Sequence, residues 1–185
     1  MKKKRIKTFF KQSLKDKKVA SIVPSSHFLV DKICGQLDYS KKRVILEYGP
    51  GEGVITRSLL ERMTEDSVLI AIETNRILYK ILSELNDSRL KVLNDSAENV
   101  KEILEAQNQR EADYIISGIP FSRISPSKRD EIIKRSYEVL SPDGKFIAYQ
   151  LRYSIKRPLE RYFDNIRFDF EFLNIPPLFI ITAGN

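Results

Sequence analysis

Three glycines and three acids are the residues of this 185-residue chain whose types and spacing best suit chemistry. Gly49, Gly51 and Gly53 stand at alternate positions directly after the apolar run Val44-Ile45-Leu46-Glu47-Tyr48, and Val54 to Met63 follows with helical apolar spacing. Strand, glycine-rich turn and helix, in that order, is how an open α/β sheet offers backbone N–H groups to a nucleotide-like ligand. Glycine is needed where a tight turn demands positive φ, or where a Cβ would hold the ligand off the backbone. Glu47 closes the first strand, Glu73 the second and Asp95 the third. A carboxylate about 20 residues past the glycines is placed to accept hydrogen bonds from a ribose diol, and Glu73 fits that position. Asp95 is placed to accept from an adenine amino group. Each acid alone could be an ordinary strand-end or capping residue. Their recurrence at consecutive strand ends carries the argument.

The elements that must position these residues alternate along the chain. Val19 to Pro24 reads as a short extended stretch, and Ser25 or Ser26 caps a helix running to about Leu37 with Phe28, Leu29, Ile33 and Leu37 inward. Strands are expected over 43–48, 68–72, 90–93, 114–116 and 145–151. Helices are expected over 53–63, 75–86, 98–107, 127–140 and 155–163. Pro120 makes Gly118 to Phe121 a loop, because proline cannot continue a central strand. Pro142-Asp143-Gly144 is a turn signal that stops the preceding helix. The tail changes rhythm: 168–173 and 178–182 read as two strands joined through Asn174-Ile175-Pro176-Pro177, with no room for a helix between them. The fold class is therefore α/β, a doubly wound, mostly parallel sheet closed by a hairpin; five βα units and a hairpin resemble the seven-stranded class I methyltransferase sheet, which implies an antiparallel last strand. The fingerprint of a dinucleotide dehydrogenase, Gly-x-Gly-x-x-Gly, is not met: the glycines fall at 49, 51 and 53, and position 54 is valine.

Composition narrows the classes further. Apolar residues make up 42% of the chain, enough for a folded domain. No apolar run approaches the roughly 20 residues that span a bilayer, and no secretory leader is expected. Cys34 and His27 are the only cysteine and histidine, so intrachain disulfides are excluded, no metal site is expected, and a reducing cytoplasm fits. The net charge of +7 is unevenly spread. Residues 1–18 hold nine cations against one acid, leaving a body of 23 bases and 24 acids. Ile6, Phe9, Phe10 and Leu14 lie at helical spacing within that basic segment, the pattern of an amphipathic helix that docks on an anionic membrane surface. A solvated tail, a helix folded over the domain, or a nucleic-acid arm share the same pattern. The expected division is a basic N-terminal segment over 1–18 and one domain over 19–185.

Glu47-Tyr48-Gly49-Pro50-Gly51-Glu52-Gly53 resembles the first motif of class I S-adenosylmethionine-dependent methyltransferases. Glu73, Asp95 and the Ser117-to-Phe121 loop resemble the three motifs that follow, and the likeness covers about residues 19–185. It implies a Rossmann-like methyltransferase sheet, with S-adenosyl-L-methionine as cofactor. By that likeness Glu47 and the turn of Gly49, Gly51 and Gly53 approach the methionine portion. Glu73 with Thr74 holds the ribose, and Asp95 with Ser96 the adenine.

Two families within that superfamily compete. Val19-Ala20-Ser21-Ile22-Val23-Pro24-Ser25-Ser26, Ser117-Gly118-Ile119-Pro120-Phe121 and Asn174-Ile175-Pro176-Pro177 resemble the bacterial phospholipid N-methyltransferases, which act on phosphatidylethanolamine. His27-Phe28-Leu29-Val30-Asp31 and the same Ile119-Pro120-Phe121 loop resemble the rRNA adenine N6-dimethyltransferases. Adenine N6 has its lone pair delocalised into the ring, and enzymes that methylate it use an Asn-x-Pro-aromatic loop whose side-chain oxygen localises that pair. Here the Asn position is Gly118. The RNA enzymes also carry a helical C-terminal RNA domain, whereas this sequence finishes at the hairpin. The expectation is methyl transfer to the amine of an ethanolamine phospholipid, taking phosphatidylethanolamine towards phosphatidylcholine, by a protein peripheral to the inner face of the cell membrane, with adenine N6 of rRNA or another nucleic acid the lesser candidate.

Ser117, Gly118, Ile119, Pro120 and Phe121 are then the substrate loop, and Arg152 a partner for a lipid phosphate. His27, Tyr149 and Tyr153 are the catalytic candidates. His27 reads equally as a capping or surface residue, the tyrosines as core and rim aromatics, and Arg152 as a solvated arginine.

Overall fold

The computed structural model describes residues 26–184; the basic segment 1–18 and the extended stretch 19–24 lie outside them. The strands are β1 (Val44–Tyr48), β2 (Val68–Ile72), β3 (Leu90–Leu93), β4 (Ala112–Ser117), β5 (Leu140–Gln150), β6 (Asn165–Glu171) and β7 (Leu178–Gly184). The helices are α1 (His27–Cys34), α2 (Val54–Arg62), α3 (Arg76–Leu82), α4 (Val100–Ala106), α5 (Pro126–Val139) and α6 (Lys156–Leu159). The sheet order is β3-β2-β1-β4-β5-β7-β6. Six strands run parallel, and β7 inserts antiparallel between β5 and β6. The carboxyl ends of β1 to β6 therefore share one edge, and so does the turn from β6 to β7.

Both faces of the sheet are covered, which is why β2 reads as an unbroken apolar run and why β1 and β4 are interrupted only by Glu47 and by Asp113 and Ser117. On one face Leu46, Ile70, Ile115 and Phe146 pack with residues of α4, α5 and α6. On the other, Ile45, Leu69, Ile116 and Ile147 pack with residues of α1 and α2. Each fully buried aliphatic side chain contributes roughly 1.5–3 kcal/mol, so the sheet holds its strand ends in place without help from the edge itself.

Several boundaries differ from the sequence reading. Phe28 is exposed, not inward: Leu29, Val30, Ile33 and Cys34 fill the inner face of α1, and the Phe28 ring lies against His27 instead. β5 starts at Leu140, which pairs with Ala112, and the Pro142-Asp143-Gly144 turn survives as a bulge before Lys145 pairs with Tyr114. The helix expected over 98–107 begins as a 3-10 turn, Ala97–Asn99. That over 155–163 is a single α-turn which winds on through the bonds Arg161 N to Pro158 O and Tyr162 N to Leu159 O. β6 starts three residues earlier than expected, because its register with β7 runs from Asn165 opposite Gly184 to Glu171 opposite Leu178. Phe172 and Leu173 consequently fall in the turn.

Candidate active site

The glycine turn leaves β1 with three left-handed residues, Gly49 (φ 63°), Gly51 (φ 61°) and Gly53 (φ 77°). Side chains rarely tolerate that conformation, so the alternate glycines are a backbone requirement. Gly49 N donates to Ile72 O at 2.9 Å, tying the turn to the end of β2, and Gly53 N donates to Pro50 O at 3.0 Å.

Beneath the turn lies Glu47, 1% exposed. Its Oε2 accepts from Thr56 Oγ1 at 2.6 Å. Its Oε1 is buried with no hydrogen-bond partner among the described residues. Burial first, and the nearby Glu73 carboxylate second, push the Glu47 carboxyl up to about 7 against the opposing bond from Thr56. Glu73 is also buried. Its Oε1 accepts from Asn75 N at 2.8 Å and its Oε2 from Gly51 N at 3.3 Å, so it reaches across to the glycine turn. Burial raises its carboxyl too, with those backbone bonds pulling the other way.

Glu73 and Asp95 sit on neighbouring strand ends: Glu73 N donates to Leu93 O at 2.9 Å, and Asn94 Nδ2 donates to Glu73 O at 2.7 Å. Asp95 Oδ1 accepts from Ser96 N (2.6 Å) and Asn99 Nδ2 (2.7 Å). Ser96 Oγ caps the 3-10 turn, accepting from Glu98 N at 3.4 Å. Thr74 is exposed.

The loop after β4 closes over the turn. Gly118 N donates to Tyr48 O at 2.9 Å, and the wholly buried Ser117 turns its Oγ to accept from Ile119 N at 3.4 Å. A Cβ on Gly49 would stand 3.6 Å from Ile119 Cγ1, which measures how closely the two segments lie. Pro120 is exposed, and Phe121 is wholly buried in the core, supporting the loop from beneath. Gly118 has no room for any side chain: a Cβ there would collide with the Tyr149 hydroxyl and lie 2.9 Å from Gly49 O. The Tyr149 phenol is pushed up by burial and by the Glu47 and Glu73 charges, so it stays protonated at neutral pH.

Glu47, the glycine turn, Glu73, the Ser117-to-Phe121 loop and Tyr149 are thus brought together, with Asp95 and Ser96 at the adjoining strand end. The remaining candidates lie elsewhere. His27 is exposed on the first turn of α1, its ring 3.8 Å from that of Phe28. Tyr153 stacks on Phe179 at 3.9 Å and meets Phe168 at 5.3 Å, away from the glycine turn, and Arg152 is exposed. Two residues escaped the sequence reading. Thr56, one turn into α2, holds Glu47; its place three residues after Gly53 was the available signal. Gln150 is buried at the end of β5 with Nε2 unpartnered among the described residues, and nothing in the sequence marked it. No group of three or more His, Cys, Asp or Glu suited to a metal ion occurs among the described residues.

Comparison with known proteins places this site in context. The profile of the ribosomal RNA adenine dimethylase family matches residues 6–128. An ornithine lipid N-methyltransferase of Singulisphaera acidiphila is 27% identical over 162 residues, covering 86% of this chain and 84% of that one. The ribosomal RNA small subunit methyltransferase A of Mycoplasma capricolum is 33% identical over 98 residues, half of this chain but only 35% of that protein. The crystal structure of precorrin-6y C5,15-methyltransferase from Geobacter metallireducens superposes with a TM-score of 0.70 at 15% identity, covering 88% of this chain and 90% of that one, a likeness of fold.

The raised Glu47 carboxyl makes stability fall as pH rises. Between the ordinary carboxylate value and about 7 the folded state keeps a proton that the unfolded state has lost, so the penalty grows across that window and is complete above it. Glu47→Gln should therefore stabilise the ligand-free protein at pH 8 by up to about 3 kcal/mol and have little effect at pH 4. Urea unfolding at the two pH values reads this directly, and an equal effect at both would contradict it.

Proposed function

The chain belongs to the ribosomal RNA adenine dimethylase family and is a class I S-adenosylmethionine-dependent methyltransferase, and from that premise we propose that it methylates the aliphatic amine of a membrane lipid head group. The observation that carries the choice is the contact between Gly118 and Tyr149. An aromatic amine needs a side-chain acceptor at position 118 to localise its lone pair. The Tyr149 hydroxyl and the Gly49 carbonyl take up the space that such a side chain would need. An aliphatic amine has no such need: once deprotonated it is already a good nucleophile. The head groups that fit are of the ethanolamine or ornithine type, each ending in a primary amine, and the name of the Singulisphaera relative adds weight to the second.

The residues present suit the cofactor. The unpartnered Glu47 Oε1 can receive the cationic ammonium of its methionine portion, against the open backbone of Gly49 to Gly53. Glu73 can exchange its long bond from Gly51 N for a ribose hydroxyl, and Asp95 with Ser96 borders the adenine. When bound, S-adenosylmethionine supplies a methyl group activated by a positively charged sulfur. The chain's own part is alignment and electrostatics. Backbone at Ser117 and Gly118, with the Tyr149 hydroxyl, orients the amine. Tyr149 is a hydrogen-bonding residue and not a base, because its phenol holds its proton, so the amine's proton leaves to solvent before transfer.

Residues 19–185 then form the methyltransferase domain, and the basic segment 1–18 serves as an anchor to the inner face of the cell membrane, with the protein peripheral and cytoplasmic. No helix among the described residues is long and apolar enough to cross a membrane. The family's name and the Mycoplasma relative favour a second reading, methylation of adenine N6 in rRNA.

Radiolabelled methyl transfer separates the two. Vesicles containing ethanolamine phospholipid or ornithine lipid should take up label, and undermethylated rRNA should not; label in RNA alone reverses the assignment. In calorimetry, Glu73→Ala should weaken cofactor binding about tenfold or more, since charged-group hydrogen bonds contribute roughly 1.5–3 kcal/mol. The exposed Glu52, changed to alanine, should leave binding unaltered.

A further inference from the structure

Ten large hydrophobic side chains are exposed among the described residues, and six of them gather in one region: Leu151, Tyr153, Phe168, Phe172, Leu173 and Ile175. Scattered apolar side chains are normal on a protein surface, but a contiguous patch marks an interaction site. Its summit is the turn from β6 to β7, where Phe172 is 73%, Leu173 59% and Ile175 86% exposed. Because β6 runs parallel to β1 through β5, this turn emerges from the same edge as the glycine turn and the Gly118-to-Phe121 loop.

The summit is held firmly. Asn174, wholly buried between the exposed side chains, accepts from Ser26 N at 2.8 Å and donates through Nδ2 to Pro176 O at 2.9 Å. Leu173 N donates to Glu171 Oε1 at 2.8 Å. Below it a ladder of rings runs from Phe172 to Phe170 (4.5 Å), Phe179 (4.7 Å) and Tyr153 (3.9 Å). A fixed turn that points three large apolar side chains outward loses little further entropy when they are buried.

The charges around it identify what buries them. Lys156 Nζ lies 5.8 Å from the centre of the Phe168 ring and 3.6 Å from Glu160, while exposed Arg152 adjoins Tyr153 in the chain and exposed Arg157 lines the same hollow as Tyr153. The acids of β6 are neutralised or buried: Asp169 pairs with Lys32 at 2.9 Å, and Glu171, buried at the base of the turn, lies 3.8 Å from the same Lys32 and holds Leu173 N. An apolar summit inside a cationic border, with aromatic side chains at the junction, complements an anionic lipid surface.

We propose that the β6–β7 turn inserts Phe172, Leu173 and Ile175 into an anionic bilayer, setting the mouth of the site against the lipid head groups. This rests on the lipid-amine reading and gives it a second, structured docking element besides the N-terminal segment. The chain contains no tryptophan, so Phe172→Trp in the full-length protein is a clean reporter. Tyr137→Trp is the control: it lies near the end of α5, which runs into the start of β5 at the opposite edge of the sheet.

With phosphatidylglycerol–phosphatidylethanolamine vesicles, emission of the Phe172→Trp protein should shift to shorter wavelength and be lost to brominated acyl chains, while that of the control stays unchanged. Changing Phe172, Leu173 and Ile175 together to serine should weaken vesicle partition about tenfold or more and leave cofactor binding intact. Vesicle binding without a change at position 172 overturns the proposal. So does emission at position 172 that is already short-wavelength and shielded without lipid, which would mean that the chain itself or a second copy covers the turn. Methyl transfer to RNA alone with insertion at position 172 would sink the substrate assignment and spare the docking, whereas transfer to lipid without insertion would do the reverse.

Discussion

A carboxylate sealed beneath a glycine turn, with one oxygen bonded and the other left alone, is the constraint around which the domain is arranged. Burying an acid without a full set of partners is unfavourable, and a fold optimised for stability alone would place an apolar residue at position 47. Glu47 is tolerated because β1 is fixed on both sides, by β2 and β4, and because Thr56 satisfies one oxygen. The three left-handed glycines that follow β1 carry no side chains that could offer its unpartnered oxygen a hydrogen bond. Glu73 reaches into the same turn from the next strand, so two acids meet in a region of low polarity and favour a cationic ligand. Stability is given up locally where binding recovers it.

On the proposed reading, the acceptor is met on the other side of the turn. Gly118 follows β4 directly and Tyr149 lies near the end of β5, and the parallel register of those strands brings the phenol to where a side chain of residue 118 would project. The family profile stops at residue 128, before β5. Its match therefore covers the acids, the glycines and the loop, while Tyr149 and the exposed β6–β7 turn lie beyond it.

The parts legible in the sequence were those governed by local chemistry. Alternate glycines after an apolar strand, an acid at each strand end and a hairpin too short for a crossover helix marked the α/β sheet, and the antiparallel insertion of its last strand came from the resemblance to class I methyltransferases. What depended on tertiary contact was hidden. Phe28 has helical spacing that suits an inward position, yet four neighbours already fill the inner face of α1. The early start of β5 depends on Leu140 finding Ala112 across a bulge, which no turn signal reveals. Gly118 reads from sequence as a missing side chain; only the register of β4 with β5 shows that Tyr149 has taken its place. The exposure of Phe172 and Leu173 depends on where the β6–β7 register ends, and apolar residues there read naturally as strand.

Proton-linked calorimetry tests most directly the proposed meeting of Glu47 with the charged end of the cofactor. Titrating S-adenosylhomocysteine, which keeps the same ammonium, near pH 6.5 in buffers of different ionisation enthalpy measures protons released on binding. A cation at Glu47 Oε1 would drive its carboxyl down from about 7, so binding should release a substantial fraction of a proton, and Glu47→Gln should abolish that release. A binding heat independent of buffer in the unaltered protein would contradict the account.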